Sequence, residues 1–258
     1  MIPKKVSLKE QLRSKAITIG SWMSLGSAAI AEIMAKAGFD WLVIDMEHSA
    51  TSTDKCEEVI RVIDLCGITP LVRTGANNPL LIKRAMDSGA SGVIVPMVNS
   101  REDAEKAVSA VKYPPHGTRG VGLSRAQGYG SSFNEYKKWV EDESIVIVQI
   151  EHIRAIENLE LILTVEGIDA FIIGPYDLSG SLGIPGNFED ERMIKALEEV
   201  RRVADKINIS TGYHVVELQP ELVRKKIKEG YTFLAYGVDF LFIGENCRRD
   251  LMEIRGSK

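Results

Sequence analysis

AKAGFDWLVI, residues 35–44, passes from an alanine-rich amphipathic stretch through Gly38 into a short aromatic and branched run, and that junction decides the fold. The same junction recurs as MDSGASGVIV at 86–95, TVEGIDAFII at 164–173 and IKEGYTFLAY at 227–236. In each, a glycine closes a helix, because it takes the left-handed turn at little steric cost, and a strand follows. Working outward, strand-type runs fall at 17–22, 41–45, 69–73, 92–96, 145–151, 170–173, 209–213 and 232–236. Helical patterns at 28–37, 54–65, 79–88, 101–111, 153–164, 190–206 and 219–229 separate them, and a last one follows Asp239. Eight strand–helix units in succession predict an α/β fold of the (β/α)8 TIM-barrel type, one domain over 1–258. No G-x-G-x-x-G follows any strand, which disfavours an open dinucleotide-binding sheet. The main interruption, 113–141, is rich in Gly, Pro, Ser and aromatic residues and is expected to be a long inserted loop with a functional or interfacial role.

Composition narrows the function. The 258 residues are 45% hydrophobic and 26% charged, enough for a sizeable core, so a disordered or fibrous chain is excluded. Lys+Arg 32 against Asp+Glu 36 gives a net charge of -4, and no basic field exists to hold a nucleic acid. Cys56, Cys66 and Cys247 are odd in number and far apart, with no CxxC pair to clamp zinc; reduced thiols fit best. The first fifteen residues are polar and no apolar run approaches the roughly 20 residues of a membrane span. A cytoplasmic protein with neither export signal nor membrane helix is expected.

In a barrel the chemistry gathers where strands end. The second strand, WLVID, runs out into Met46, Glu47 and His48; the third ends at Arg73; the fifth carries Gln149 and Glu151; the sixth leads through Gly174 into Asp177. Glu151 and Asp177 are carboxylates from adjacent strands with no lysine near them in sequence. Such a pair suits an octahedral Mg²⁺ or Mn²⁺ with positions open to substrate. Each could instead cap a helix or turn. His48 is one of four histidines, and its near-neutral range suits a general base, although a lone loop histidine is commonly a solvated one. Arg73 ends an apolar strand and requires an anionic partner, either substrate or a carboxylate such as Asp45 or Asp87. His116, His152 and His214 carry no assigned role, although His214 could line the mouth after the seventh strand, and the glycines around Asp177 are permissive for anion binding. No strand holds a lysine, so imine-forming aldol chemistry lacks a nucleophile, and neither G-x-S-x-G nor H-E-x-x-H occurs.

Six runs in order, WLVIDMEHS (41–49), TPLVR (69–73), GVIVPMV (92–98), YPPHGTRGVGLSRAQGYG (113–130), VQIE (148–151) and IGPYDLSGSLG (173–183), resemble the HpcH/HpaI family of metal-dependent pyruvate aldolases. The resemblance spans nearly the whole chain. It implies a class II lyase that cleaves 4-hydroxy-2-oxo acids, of the 4-hydroxy-2-oxoheptanedioate or 2-keto-3-deoxy sugar acid type, into pyruvate and an aldehyde. By the same resemblance Glu151 and Asp177 hold the divalent metal (Mg²⁺, Mn²⁺ or Co²⁺). Gln149 contacts the pyruvate moiety, while Gly174 and Tyr176, with Asp177, lie against the substrate. His48 accepts the proton, Arg73 stabilises the oxyanion and Asp87 raises the basicity of the histidine. A homohexamer built as a trimer of dimers, with the last helix exchanged between barrels, is implied too.

Tyr176 departs from the family pattern, which has a small residue there, and would narrow the aldehyde side or point away. Arg119 and Arg125 in the long loop are candidates for a second substrate carboxylate or, preferably, for a subunit interface. Two other readings compete. One is a citrate-lyase-like carbon–carbon lyase acting on a CoA thioester, for which no nucleotide-binding surface is evident. The other is a non-catalytic barrel that binds a 2-oxo acid, which would have no need of a base beside a metal.

Overall fold

Alternation hidden inside fully buried strands organises the molecule, whose computed structural model describes residues 6–256. The chain begins α1 Leu8–Arg13, β1 Thr18–Met23, α2 Ala28–Lys36, β2 Trp41–Asp45, α3 Thr53–Leu65, β3 Thr69–Arg73, α4 Pro79–Asp87, β4 Gly92–Val95 and α5 Arg101–Val111. It continues through a 3-10 turn, Arg125–Gly130, into α6 Phe133–Asp142, β5 Ile145–Ile150, α7 Ile153–Glu157, α8 Leu159–Leu163, β6 Ala170–Ile173 and α9 Pro175–Ser181. The last elements are α10 Glu191–Ile207, β7 Ser210–Val215, α11 Pro220–Lys228, β8 Phe233–Val238 and α12 Asp239–Arg255. All eight strands are parallel, and β8 returns to β1 to close the barrel.

Each strand divides its residues between two cores. Leu42, Ile44, Val72, Val146, Val148 and Ile173 face outward under the helices. Trp41, Val43, Leu71, Ile147 and Ile172 fill the barrel, where Trp41 stacks on Phe233 with ring centres 4.1 Å apart. Two-residue periodicity then carries Asp45, Arg73, Gln149 and Glu151 into the interior at the C-terminal ends, since each lies an even number of residues beyond an inward apolar one. Register supports this: Asp45 lies opposite Arg73 across β2 and β3.

Helix α1, absent from the sequence-based expectation, seals the other end. Leu8 and Leu12 join the interior cluster, and the Lys9 ammonium reaches Asp169 at 3.0 Å and the Ser144 carbonyl at 2.6 Å. The expected loop 113–141 is partly helical, because α6 sets Tyr136 and Val140 into a small cluster with Tyr113. The expected helix 153–164 is two short ones, α7 and α8, meeting at Asn158. At the seam, the Asp239 carboxylate accepts the Ser24 and Leu25 N–H groups, both at 3.0 Å, and so ties the start of α12 to the end of β1. Beyond that point α12 leaves Phe240, Ile243, Leu251, Met252 and Ile254 exposed.

Candidate active site

The Asp45–Arg73 pair anchors the mouth of the barrel. Arg73 donates from Nε to Oδ1 at 2.9 Å and from Nη2 to Oδ2 at 2.6 Å, a two-bond grip on a buried carboxylate. Burial pushes the Asp45 carboxyl up, but the Arg73 hydrogen bonds and charge, with the N–H groups of Glu47 and His48, outweigh it and hold the group below its ordinary range. Those two N–H groups donate to Oδ1 at 3.0 and 3.3 Å, so Asp45 also shapes the turn that carries His48. Arg73 therefore has the protein partner named as one of its two alternatives. Its guanidinium also lies 5.3 Å from the Trp22 ring centre.

Glu47, to which sequence reasoning gave no role, stands beside this pair. Its Oε2 is buried without a hydrogen-bond partner, 3.3 Å from Arg73 Nη1 and 3.9 Å from His48 Nε2. Burial, reinforced by the Glu151, Asp45 and Asp177 charges and opposed by Arg73, raises its carboxyl to about 7. The available signal was its position two residues beyond Asp45. His48 itself is open to solvent, its side chain 65% exposed.

Across the mouth, Glu151 is buried. Its Oε1 accepts the Met97 N–H at 2.7 Å and its Oε2 accepts Gln149 Nε2. Met97 holds φ at +54°, a left-handed backbone that a non-glycine residue adopts at some cost and that turns its N–H to the carboxylate. Burial raises the Glu151 carboxyl; Gln149 and Met97 pull it down, and the Asp177 charge pushes it up again. Asp177 stands exposed in the first turn of α9. Gly174 precedes that turn, and a methyl group there would meet Gln149 Nε2 and Glu151 Oε2 at 3.2 Å, so the missing side chain lets the loop lie on these groups.

One cavity of about 190 Å³ is lined by Trp22, His48, Arg73, Gln149, Gly174, Tyr176, Asp177 and His214 among others. Glu151, His152 and Gly186 border an adjoining open groove of about 700 Å³, and Tyr176 and Asp177 form the wall common to both. His214 stacks on Trp22, ring centres 4.6 Å apart, and bonds the Gly237 carbonyl at 3.1 Å; burial lowers its pKa to about 4 and keeps it neutral. A larger cavity, about 790 Å³, opens at the opposite end beside Lys9 and Lys112. There Lys112 is committed to the Val140 carbonyl and Ser144, and Lys9 to Asp169. Size alone does not mark the reacting end.

Among the described residues no three Asp, Glu, His or Cys side chains form a complete metal cage. What converges is a pair, Glu151 and Asp177, with the Gln149 amide. Two hard oxygen donors, one buried and raised first by that burial and then by the charge of the other, fit a divalent cation that keeps sites open to other ligands.

Three predicted groups lie elsewhere. Asp87, at the end of α4, receives Arg119 Nη2 at 2.6 Å and makes no contact with His48 within the chain. Arg119 has a fully buried side chain lying over the Tyr113 and Tyr136 rings, and Arg125 bonds the Ser88 carbonyl and Asp64, each at 3.0 Å. Within the chain these contacts pin the 113–141 segment to its own barrel, while Arg119 Nε stays buried without a hydrogen-bond partner. His116 lies 3.4 Å from Glu141 at the surface, and His152 caps α7.

With this geometry in place, a sequence model described as HpcH/HpaI aldolase/citrate lyase matches residues 18–243. The chain is 38% identical over 250 residues to a Pseudomonas putida 2-dehydro-3,6-dideoxy-6-sulfogluconate aldolase, covering 95% of each protein. It is 36% identical to an Escherichia coli 2-keto-3-deoxy-L-rhamnonate aldolase over 97% of this chain and 93% of that one. A crystal structure of an HpcH/HpaI aldolase/citrate lyase family protein from Burkholderia cenocepacia superposes with a TM-score of 0.91 at 32% identity, over 96% of this chain and 98% of that one.

Proposed function

Because the chain belongs to the HpcH/HpaI aldolase/citrate lyase family, we propose that this aldolase cleaves the C3–C4 bond of a 4-hydroxy-2-oxo acid to give pyruvate and an aldehyde. One observation carries the reading: Gln149 and Asp177 share a cavity with His48 and a guanidinium that Asp45 holds fixed, and Glu151 borders the adjoining groove beside Asp177. Glu151 and Asp177 would hold the divalent metal, Mg²⁺, Mn²⁺ or Co²⁺. When bound, that ion supplies a Lewis acid for the oxygens of a 2-oxo acid.

The protein's own groups do the rest. Gln149 and the backbone at Gly174 position the pyruvate portion. His48 takes the C4 hydroxyl proton as the C3–C4 bond breaks and its electron pair moves toward the 2-oxo oxygen. Arg73, unable to swing away because Asp45 grips it, offsets the negative charge that develops there; a donor of this kind is worth on the order of a hundredfold in rate. C3 is then protonated and pyruvate departs. Asp87 belongs to this scheme only if its contact with Arg119 is supplemented by one from a neighbouring copy.

The proposed assembly is a homohexamer with α12 exchanged between barrels, supported by the apolar residues that α12 leaves uncovered. The three free cysteines support a reducing compartment, the cytoplasm. The test of function is pyruvate release from a panel of 4-hydroxy-2-oxo acids. Release that a chelator abolishes and Mg²⁺ or Mn²⁺ restores is the expected result. Silence across the panel with metal supplied overturns the reading.

A further inference from the structure

The fragment beyond C4 must lie on the outer side of the cavity, and Tyr176 walls that side. Its hydroxyl donates to Glu217 Oε1 at 3.4 Å, and its ring meets Phe188 edge-on with centres 5.0 Å apart. Glu217 follows β7, so this contact joins α9 to the loop before α11 on the neighbouring strand. With its ring against Phe188, Tyr176 stands in the walls of both the cavity and the adjoining groove.

Charge at this mouth is one-sided. Glu151 and Asp177 line the cavity and the groove, Asp45 and Glu47 hold Arg73 beside them, and Glu217 joins them through the Tyr176 hydroxyl. Among the described residues lining the cavity and the groove there is no lysine, and Arg73 is the one arginine. Asp45 and Glu47 already engage that arginine. A divalent cation at Glu151 and Asp177 would offset two charges, and the carboxylate of the 2-oxo acid would return one. The mouth stays negative with substrate in place.

We propose that Tyr176 and Glu217 select the aldehyde fragment, admitting neutral hydroxyaldehydes and rejecting those that carry a sulfonate, phosphate or second carboxylate. The proposal rests on the aldol reading above. An ionised carboxylate only accepts hydrogen bonds, so Glu217 can receive a fragment hydroxyl, and the Tyr176 phenol can both give and receive one. A second anion offers acceptors alone. It would meet like charge with no cation to pair it, and rejection of this kind is built from repulsion as much as from attraction.

The test uses the metal-loaded full chain and 4-hydroxy-2-oxo acids matched in length, ending either in a methyl or hydroxymethyl group or in a carboxylate or sulfonate. Expected is a kcat/KM at least about tenfold higher for the neutral set, a difference of about 1.4 kcal/mol, narrowing as salt is added. Glu217→Gln should collapse that ratio by lowering KM for the anionic set and raising it for the neutral one. Tyr176→Phe should shift the ratio the same way by less. Equal or better turnover of the anionic set overturns the proposal and would mean that a second copy lends a cation; a ratio unmoved in Glu217→Gln overturns it as well. If neither set yields pyruvate, the aldol reading itself has failed and this selection falls with it.

Discussion

Two side chains on one short turn, Glu47 and His48, meet opposite conditions. His48 is largely solvated and contributes little to packing, so His48→Ala should melt with the parent protein yet lose aldol cleavage by roughly a hundredfold or more. Unchanged turnover in that variant would remove its assigned role. Glu47 is held in the fold with its carboxyl near 7, against 4.5 for an ordinary glutamate. Between those two values the native state keeps a proton that the unfolded chain releases. Stability therefore falls as pH rises through this window, and the whole cost persists above it. Glu47→Gln removes a penalty on the order of 1–2 kcal/mol once solvent screening is allowed for. In chelator, the variant's gain in melting temperature over the parent should be small at the acid end of the window and large above its upper end; equal gains would contradict it. Of these residues, the sequence made Glu151, Asp177, Arg73 and His48 visible because each stands at a strand end. It hid the state of Glu47, which depends on burial and on charges from three other strands. Arg119 was unreadable for a similar reason: its partners Asp87 and Tyr136 lie 32 and 17 residues away.

At the level of elements, pleating decides which chemistry enters the barrel. The register sets Gly20 of β1 beside Trp41 of β2, and a methyl group at Gly20 would overlap the indole. Trp41 cannot retreat, because Phe233 is stacked on its other face. Gly20→Ala should thus cost about 1–3 kcal/mol or more, read as a lower urea midpoint, whereas a midpoint equal to the parent's would show that the barrel layer can relax. The strands were legible because buried parallel strands form short apolar runs set off by glycine stops. Helices were legible where three turns of amphipathic pattern accumulated. Helix α1 has six residues, too few to display a period, and α9 reads as PYDLSGS, a turn-like composition that folds into a helix behind Pro175. Helix α6 did carry the signal, with Phe133, Tyr136 and Val140 at helical spacing, but the glycine- and serine-rich residues before it read as loop.

For the molecule as a whole, the proposed assembly turns on α12, which leaves Phe240, Ile243, Leu251, Met252 and Ile254 exposed. The purified protein should scatter light as a multimer, and Leu251→Asp with Met252→Asp should lower that mass while leaving the helical signal; a monomeric parent would refute the assembly. Residues distant in sequence could signal family and barrel because those depend on repeated local patterns, whereas the assembly depends on surfaces that a single chain does not pair. The plug formed by Leu8, Leu12 and Lys9 beneath the strands bears on kinetics. Because the barrel interior is packed through and capped at its base, the site has a single door. With the pyruvate portion beside Gln149, as proposed, the aldehyde is expected to leave first and pyruvate last. Product inhibition should record that queue, with pyruvate competing directly with the substrate for the emptied enzyme and the aldehyde inhibiting noncompetitively.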